Sequence, residues 1–290
     1  MFGKNEIVGK KYFQQAEQGI YNNPLLVTSI FFTIQGEGPF RGQPAMFLRL
    51  AKCNLQCSFC DTYFDSGNWM TTEEILDHME KLFNEFFFKR GYSEKDIPYS
   101  MNDVILVVTG GEPMLQTNLV EFLRDIEADL IFESVQIESN GLIHQEIPDF
   151  VYLVVSPKCL EKNGKAIRYL EPNKKILKRL DYLKFVMEAD PNSPYSKIPE
   201  WALELRRDVP IFVSPMNIYN DEPQSSKIAR AEKTGISLEE RSEIDERISF
   251  WTPDLLNLEQ NQKNHEYAAE YAMKHNLIFQ VQLHLFASLA

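Results

Sequence analysis

No stretch of this 290-residue chain approaches the roughly 18 consecutive apolar residues that a membrane span requires. The opening MFGKNEIVGKKYFQQ also lacks the apolar centre of a signal peptide, so the expectation is a soluble protein with no membrane partner. Basic charge is in deficit: 30 Lys and Arg stand against 42 Asp and Glu, for a formal net charge of −12. A surface of that sign disfavours a groove tracking a phosphate backbone, and nucleic acid is not an expected partner. Cysteine is scarce, with four in all. Three of them crowd into positions 53, 57 and 60, which is unlike a secreted disulfide framework and points to the reducing cytoplasm. The chain shows no second CxxC and no internal repeat.

What the chain does have is enough apolar material for a sizeable core, 44% hydrophobic and 12% aromatic. Strand-like runs rich in β-branched and aromatic residues occupy 25–33, 45–50, 104–109, 135–139, 151–156, 182–187, 210–214 and 278–284. Helical patterns lie between them at 72–90, 117–127, 172–180, 196–207 and 258–275, with Thr71 and Thr72 placed to cap the first. Strand and helix alternate. Such a rhythm demands crossovers and a parallel α/β sheet, either doubly wound or an open or closed barrel, with functional groups at the carboxyl ends of its strands. Residues 1–24 are polar and end in the turn signal Asn22-Asn23-Pro24, an N-terminal extension expected to pack on the main body of 25–290. The charged, apolar-poor stretch 220–248 is expected to be a solvated insertion without a catalytic role.

Cys53, Cys57 and Cys60, in AKCNLQCSFCDT, have the CxxxCxxC spacing that suits a site-differentiated 4Fe–4S cluster. Three thiolates hold three irons and leave the fourth open to a small molecule. Two plainer readings stand beside it. The three positions would share one face of a helix as a buried stripe. A structural zinc would also take three thiolates, drawing its fourth ligand from Cys159 or a distant histidine such as His144. A second motif, Thr109-Gly110-Gly111-Glu112-Pro113, follows the apolar run VILVV and precedes a helix. Its glycines permit close backbone approach to a ligand, and its free backbone edge with the Glu112 carboxylate suits the amino-acid end of S-adenosylmethionine (SAM). A plain strand-to-helix turn with Pro113 at the first helical position is the alternative.

Taken together, these residues resemble the radical SAM enzymes, and within them the 7-carboxy-7-deazaguanine synthase family. The segment SIFFTIQGEGPFRGQPAMFLRLAKCNLQCSFCDTYF is similar to that family's N-terminal signature almost throughout. VTGGEP, ESNG, VSPK, LKFV and VSPMN follow in the family's order, so the resemblance covers roughly 25–215.

The resemblance implies an incomplete parallel β/α barrel, usually homodimeric. It implies cluster ligation by Cys53, Cys57 and Cys60, and SAM contacts from Gly111, Ser156, Pro157, Lys158, Ser214, Pro215, Met216 and Asn217. Many relatives carry other residues where this chain has Ser214 and Asn217. Substrate contacts are implied for Ile34, Gln35, Gly36, Arg49 and Thr109, the guanidinium of Arg49 being suited to gripping a carboxylate with two parallel hydrogen bonds. Thr62 is implied as a Mg2+ ligand; for it, a turn cap is the plainer reading. Glu138, Lys184 and His284 are polar residues in apolar runs and candidates for the pocket, while Cys159 reads as a small buried hydrophobe.

The implied reaction is a carbon–nitrogen lyase step: 6-carboxy-5,6,7,8-tetrahydropterin becomes 7-carboxy-7-deazaguanine with loss of ammonia, driven by a SAM-derived radical. An external electron donor such as flavodoxin is implied as a partner. A glycyl-radical activating enzyme and a zinc-stabilised binding module are the rival readings; QGEG and CDT favour the pterin enzyme.

Overall fold

The computed structural model describes residues 6–16, 22–219 and 256–287. The expected charged insertion 220–248 lies outside the described residues. The strands are β1 (Leu25–Ile34), β2 (Pro44–Leu50), β3 (Asn68–Met70), β4 (Ile105–Gly110), β5 (Ser134–Ser139), β6 (Val151–Val155), β7 (Cys159–Lys162), β8 (Lys165–Tyr169), β9 (Tyr182–Met187), β10 (Ile211–Pro215) and β11 (Ile278–Phe279). The helices are α1 (Lys11–Ala16), α2 (Thr72–Phe88), α3 (Leu119–Ala128), α4 (Lys174–Arg179), α5 (Glu200–Leu205), α6 (Leu258–His275) and α7 (His284–Ala287).

Nine strands form one sheet in the order β11-β10-β9-β6-β5-β4-β2-β1-β3, and β7 with β8 forms a separate hairpin. From β2 to β11 every neighbour is parallel and the order never reverses. A doubly wound sheet would reverse at a switch point; successive right-handed crossovers in one direction put the helices on one face and curl the sheet toward a barrel. Among the described residues closure is not reached, and β3 and β11 lie at the two ends of the sheet order. The result is the expected incomplete barrel. The parallel expectation needs one adjustment: β1 runs antiparallel to both β2 and β3, since a short connection, not a crossover helix, joins β1 to β2.

Side chains alternate between the two faces. The outer face, with Leu106, Val108, Ile137, Leu153, Leu183, Phe185 and Val213, is buried under Ile75, Met79 and Phe83 of α2, Phe122 and Ile126 of α3, and Ala268 and Ala272 of α6. The inner face carries aromatic residues low in the barrel. Phe31 stacks on Phe47 with centroids 4.9 Å apart, Phe40 meets Tyr152 edge-on, and Tyr182 bridges Tyr152 to Phe212. Above them the same face turns polar, with Arg49, Thr109, Gln136, Glu138, Lys184 and Ser214 near the carboxyl ends of the strands. An apolar floor and a polar mouth therefore come from one periodicity.

Residues 6–16 lie against the body. Val8 N–H donates to the Cys53 carbonyl at 2.9 Å, and Phe13 is fully buried with Leu26, Ala51 and Leu115. Burying one such ring is worth about 2 kcal/mol. Several elements differ from expectation, with β3, α1 and α7 additional to the expected set and the helix expected over 196–207 confined to Glu200–Leu205. The run 278–284 is a strand only over Ile278–Phe279, after which Gln280 and Gln282 spend their side chains on Gly38, Ser214 and Asn217 and draw the chain off the sheet edge. The β7–β8 hairpin was not foreseen, because its exposed lysines mask the alternation.

Helix α2 begins as its sequence suggests, but with one cap. The Thr71 hydroxyl accepts from Glu74 N–H while the Glu74 carboxylate accepts from Thr71 N–H, a reciprocal capping box. Thr72 instead bonds Asp125 at the exposed surface, at 3.1 Å. Urea denaturation should therefore show Thr71→Ala less stable by about 1 kcal/mol. Thr72→Ala should lose less than half as much; equal losses would contradict the assignment of the cap.

Candidate active site

The loop after β2 holds the three cysteines, and its path is set by two contacts. Lys52 adopts a left-handed backbone (φ 74°), and Glu112 N–H donates to its carbonyl at 2.8 Å. Gly111 N–H likewise donates to the Leu50 carbonyl at 3.0 Å. A Cβ on Gly110 would collide with the Leu50 backbone, and one on Gly111 with the Lys52 carbonyl, so the two glycines are required by this close approach. Glu112, expected to face a ligand, does not offer its carboxylate to the cavity. One oxygen accepts from Ser139 Oγ (2.8 Å) and Met114 N–H (3.0 Å), the other from Asn140 N–H (2.7 Å). Burial pushes its carboxyl above the usual range while those hydrogen bonds oppose the shift. Its function is to tie the GGEP turn to the ESNG segment after β5.

Cys53, Cys57 and Cys60 line one cleft, open toward solvent, at the carboxyl ends of the parallel strands. Of the expected site residues, Cys53, Cys57, Cys60, Thr62, Thr109, Gly111, Ser156, Lys158, Ser214, Pro215 and Asn217 border it. Others are not among its lining residues. Pro157 is buried, and Met216 packs with Cys159 and Tyr195. Ile34 ends β1 opposite Pro44. Gln35 donates to Glu138 at 3.3 Å, and Arg49 lies on the inner face with its guanidinium carbon 5.1 Å above the Phe31 ring. A Cβ on Gly36 would meet His284 Nδ1 at 2.6 Å, so this glycine makes room for the histidine.

All four cysteines are free thiols, and Cys159 is buried. Burial pushes Cys53 up to about 12 and Cys57 up to about 11, and raises Cys60 as well. Buried thiols without a cation stay protonated and inert; a bound metal is what would convert them to thiolates. Among the described residues, no three His, Cys, Asp or Glu side chains converge as a single-ion site does. The loop also supplies hydrogen bonds of the kind that tune cluster sulfur, with Leu55 N–H 3.4 Å from Cys53 Sγ. The donor set and its shared wall fit a cluster.

A second polar group borders the same cavity. Lys184, 7% exposed, donates to Glu138 at 2.7 Å and to Glu37 at 3.1 Å. Ser214 Oγ donates to the other Glu37 oxygen at 2.8 Å, and Gln136 donates to Glu138 at 3.0 Å. Burial alone would push Lys184 down, but the Glu138 and Glu37 carboxylates outweigh it and hold it raised. Burial likewise opposes ionisation of Glu37, and Lys184 with Ser214 brings it below the ordinary range. The ammonium is thus held charged between two carboxylates. Glu37 was missed in the sequence although it sits in the quoted QGEG; nothing local distinguishes it from a loop glutamate. Lys158 donates to Ser156 Oγ at 2.6 Å, and burial lowers it. Asp61 and Thr62 lie side by side on the wall, the Thr62 hydroxyl 3.1 Å from Asp61 Oδ1.

No protein-family model matches the chain. It is 33% identical over 235 residues to the 7-carboxy-7-deazaguanine synthase of Rickettsia prowazekii, a match spanning 81% of this chain and 89% of that one. It is 32% identical over 204 residues to the enzyme of the same name from Rhodospirillum rubrum, covering 66% and 74% of the two chains. The crystal structure of QueE from Escherichia coli shares its fold, with a TM-score of 0.52 at 18% identity over 96% of this chain and 99% of that one. With 33% identity to the Rickettsia enzyme over most of both sequences, the chain belongs to the 7-carboxy-7-deazaguanine synthase family.

Proposed function

We propose that this protein is a radical SAM carbon–nitrogen lyase that converts 6-carboxy-5,6,7,8-tetrahydropterin to 7-carboxy-7-deazaguanine with loss of ammonia, in 7-deazapurine biosynthesis of the queuosine type. One observation carries the reading: three free thiols and a buried Glu37–Lys184–Glu138 group border a single open cavity. Cys53, Cys57 and Cys60 would hold the cluster, which with SAM would supply one-electron cleavage of a sulfonium and so the power to take hydrogen from a substrate carbon.

The rest is done by the chain's own groups. The backbone at Gly111, with Ser156, Lys158, Ser214 and Asn217, would receive the polar ends of SAM; all five border the cavity. Arg49 and Thr109, on neighbouring strands in register, would grip the substrate carboxylate from the inner face of the sheet. Glu138, paired with Lys184, would accept hydrogen bonds from the nitrogen-rich edge of a pterin. Asp61 and Thr62 offer hard oxygens for Mg2+, which keeps several waters and takes further ligands from substrate. The aromatic floor excludes water from below. The family resemblance adds a homodimer, an electron-carrier partner and a cytoplasmic setting, the last in keeping with four free thiols.

Anaerobically reconstituted protein given dithionite, SAM, Mg2+ and carboxytetrahydropterin should form 7-carboxy-7-deazaguanine. No product from a protein with an intact, reducible cluster would refute the substrate assignment, and Cys57→Ala should abolish both SAM cleavage and product. Arg49→Lys, which loses the bidentate fork, should raise the KM for the pterin about tenfold and leave SAM affinity near wild type; equal losses for both would count against the assigned role. The buried network also predicts a pH dependence. Glu37 is lowered and Lys184 raised, so the stability they contribute is present between the two unfolded values, roughly pH 4 to 10. It is lost as pH falls through the lowered Glu37 value or rises through the raised Lys184 value. Glu37→Gln should make the acid limb of the stability profile shallower; an unchanged limb would contradict the pairing.

A further inference from the structure

The β7–β8 hairpin stands apart from the main sheet, and its two faces differ in chemistry. Cys159 opposes Tyr169 and Glu161 opposes Ala166, so these four share the inward face. That face is seated on the cysteine loop. Glu161 Oε2 accepts from Ser58 N–H at 2.8 Å, between Cys57 and Cys60. Tyr195 donates to the other Glu161 oxygen at 3.3 Å and meets Phe59 edge-on.

The outward face is built otherwise. Leu160 opposes Arg168, and Lys162 opposes Lys165. Leu160 is 40% exposed, and Ile167, beside the register shift, is 51% exposed. Lys162, Lys165 and Arg168 are exposed around them, while the hairpin's single carboxylate, Glu161, is turned inward. On a chain of net charge −12, three cations with no acid among them reverse the prevailing sign locally. Apolar side chains ringed by one charge mark an interaction surface, and the complementary partner is acidic.

We propose that the outward face of this hairpin docks an acidic one-electron carrier protein, which reduces the cluster through the β7–β8 layer. This rests on the cluster assignment above. The carrier loses one electron and the cluster gains it; no bond is made or broken and no proton moves. Glu161 makes the hairpin and the Cys57–Cys60 segment one mechanical unit, so a partner seated outside is held in fixed relation to the ligands inside.

The test uses anaerobic holoenzyme and purified reduced flavodoxin as the acidic probe. Two triple variants are compared with wild type: Lys162→Glu/Lys165→Glu/Arg168→Glu, and the same positions changed to Gln. Charge reversal should weaken flavodoxin binding at low salt roughly tenfold or more and slow cluster bleaching in stopped flow to match, with the Gln variant between. The differences should shrink as salt rises. Dithionite-driven product formation should stay at the wild-type level in both variants. Unchanged affinity, binding insensitive to salt, or loss of the dithionite-driven reaction would overturn the docking. So would an altered molar mass of the variants in solution, which would give the face to a second copy of this chain. The charge variants test the docking and the wild-type holoenzyme with dithionite tests the activity, so either can fail alone.

Discussion

Two backbones pass within touching distance where β4 ends, and no Cβ fits between them. Gly110 and Gly111 lie against Leu50 and Lys52, and through that contact the GGEP turn and the cysteine loop become a single wall. The same turn is anchored on its other side by Glu112, whose buried carboxylate holds Ser139 and Asn140 at the end of β5. Three consecutive strand ends are therefore locked together by backbone approach and one satisfied carboxylate. Thiols placed on such a wall are held by the fold, not by loop flexibility, which is what a preorganised cofactor site requires.

Farther along the sheet, the inner face carries the chain's most costly buried charges. An ammonium with 7% exposure survives because Glu37 and Glu138 both reach it, while Ser214 donates to the other Glu37 oxygen and Gln136 and Gln35 to the other Glu138 oxygen. A hydrophobic triplet of similar size would stabilise the barrel as well or better, so the charges point to recognition more than to stability. Gln280 links Ser214 to Gly38 N–H, so the last strand, the QGEG loop and the ionic group form one polar surface. That surface and the thiol wall meet at one mouth, where an oxygen- and nitrogen-rich substrate can be held beside a cofactor.

Much of this was legible in the residues. β-branched runs marked the central strands because both faces of parallel strands are covered, and the centres agree even where the ends shift by a residue. CxxxCxxC and GGEP announced themselves by spacing and by position at strand ends. Other features depend on partners remote in sequence and left no local trace. The orientation of Glu112 is decided by Ser139, 27 positions away, and the seat of Glu161 by Ser58, 103 positions away. The end of the last strand was misjudged because Gln280 and Gln282 fit an alternating pattern, yet their amides are drawn into tertiary hydrogen bonds. Local pattern reports propensity; tertiary partners decide direction.

The central claim is that Cys53, Cys57 and Cys60 would hold a cluster with one iron left to take SAM. Electron paramagnetic resonance of the anaerobic, dithionite-reduced protein, recorded without and with SAM, tests it most directly. The account predicts the signal of a reduced 4Fe–4S cluster whose g values shift when SAM is added. A signal that ignores SAM, or a silent protein that retains one zinc per chain, would contradict it.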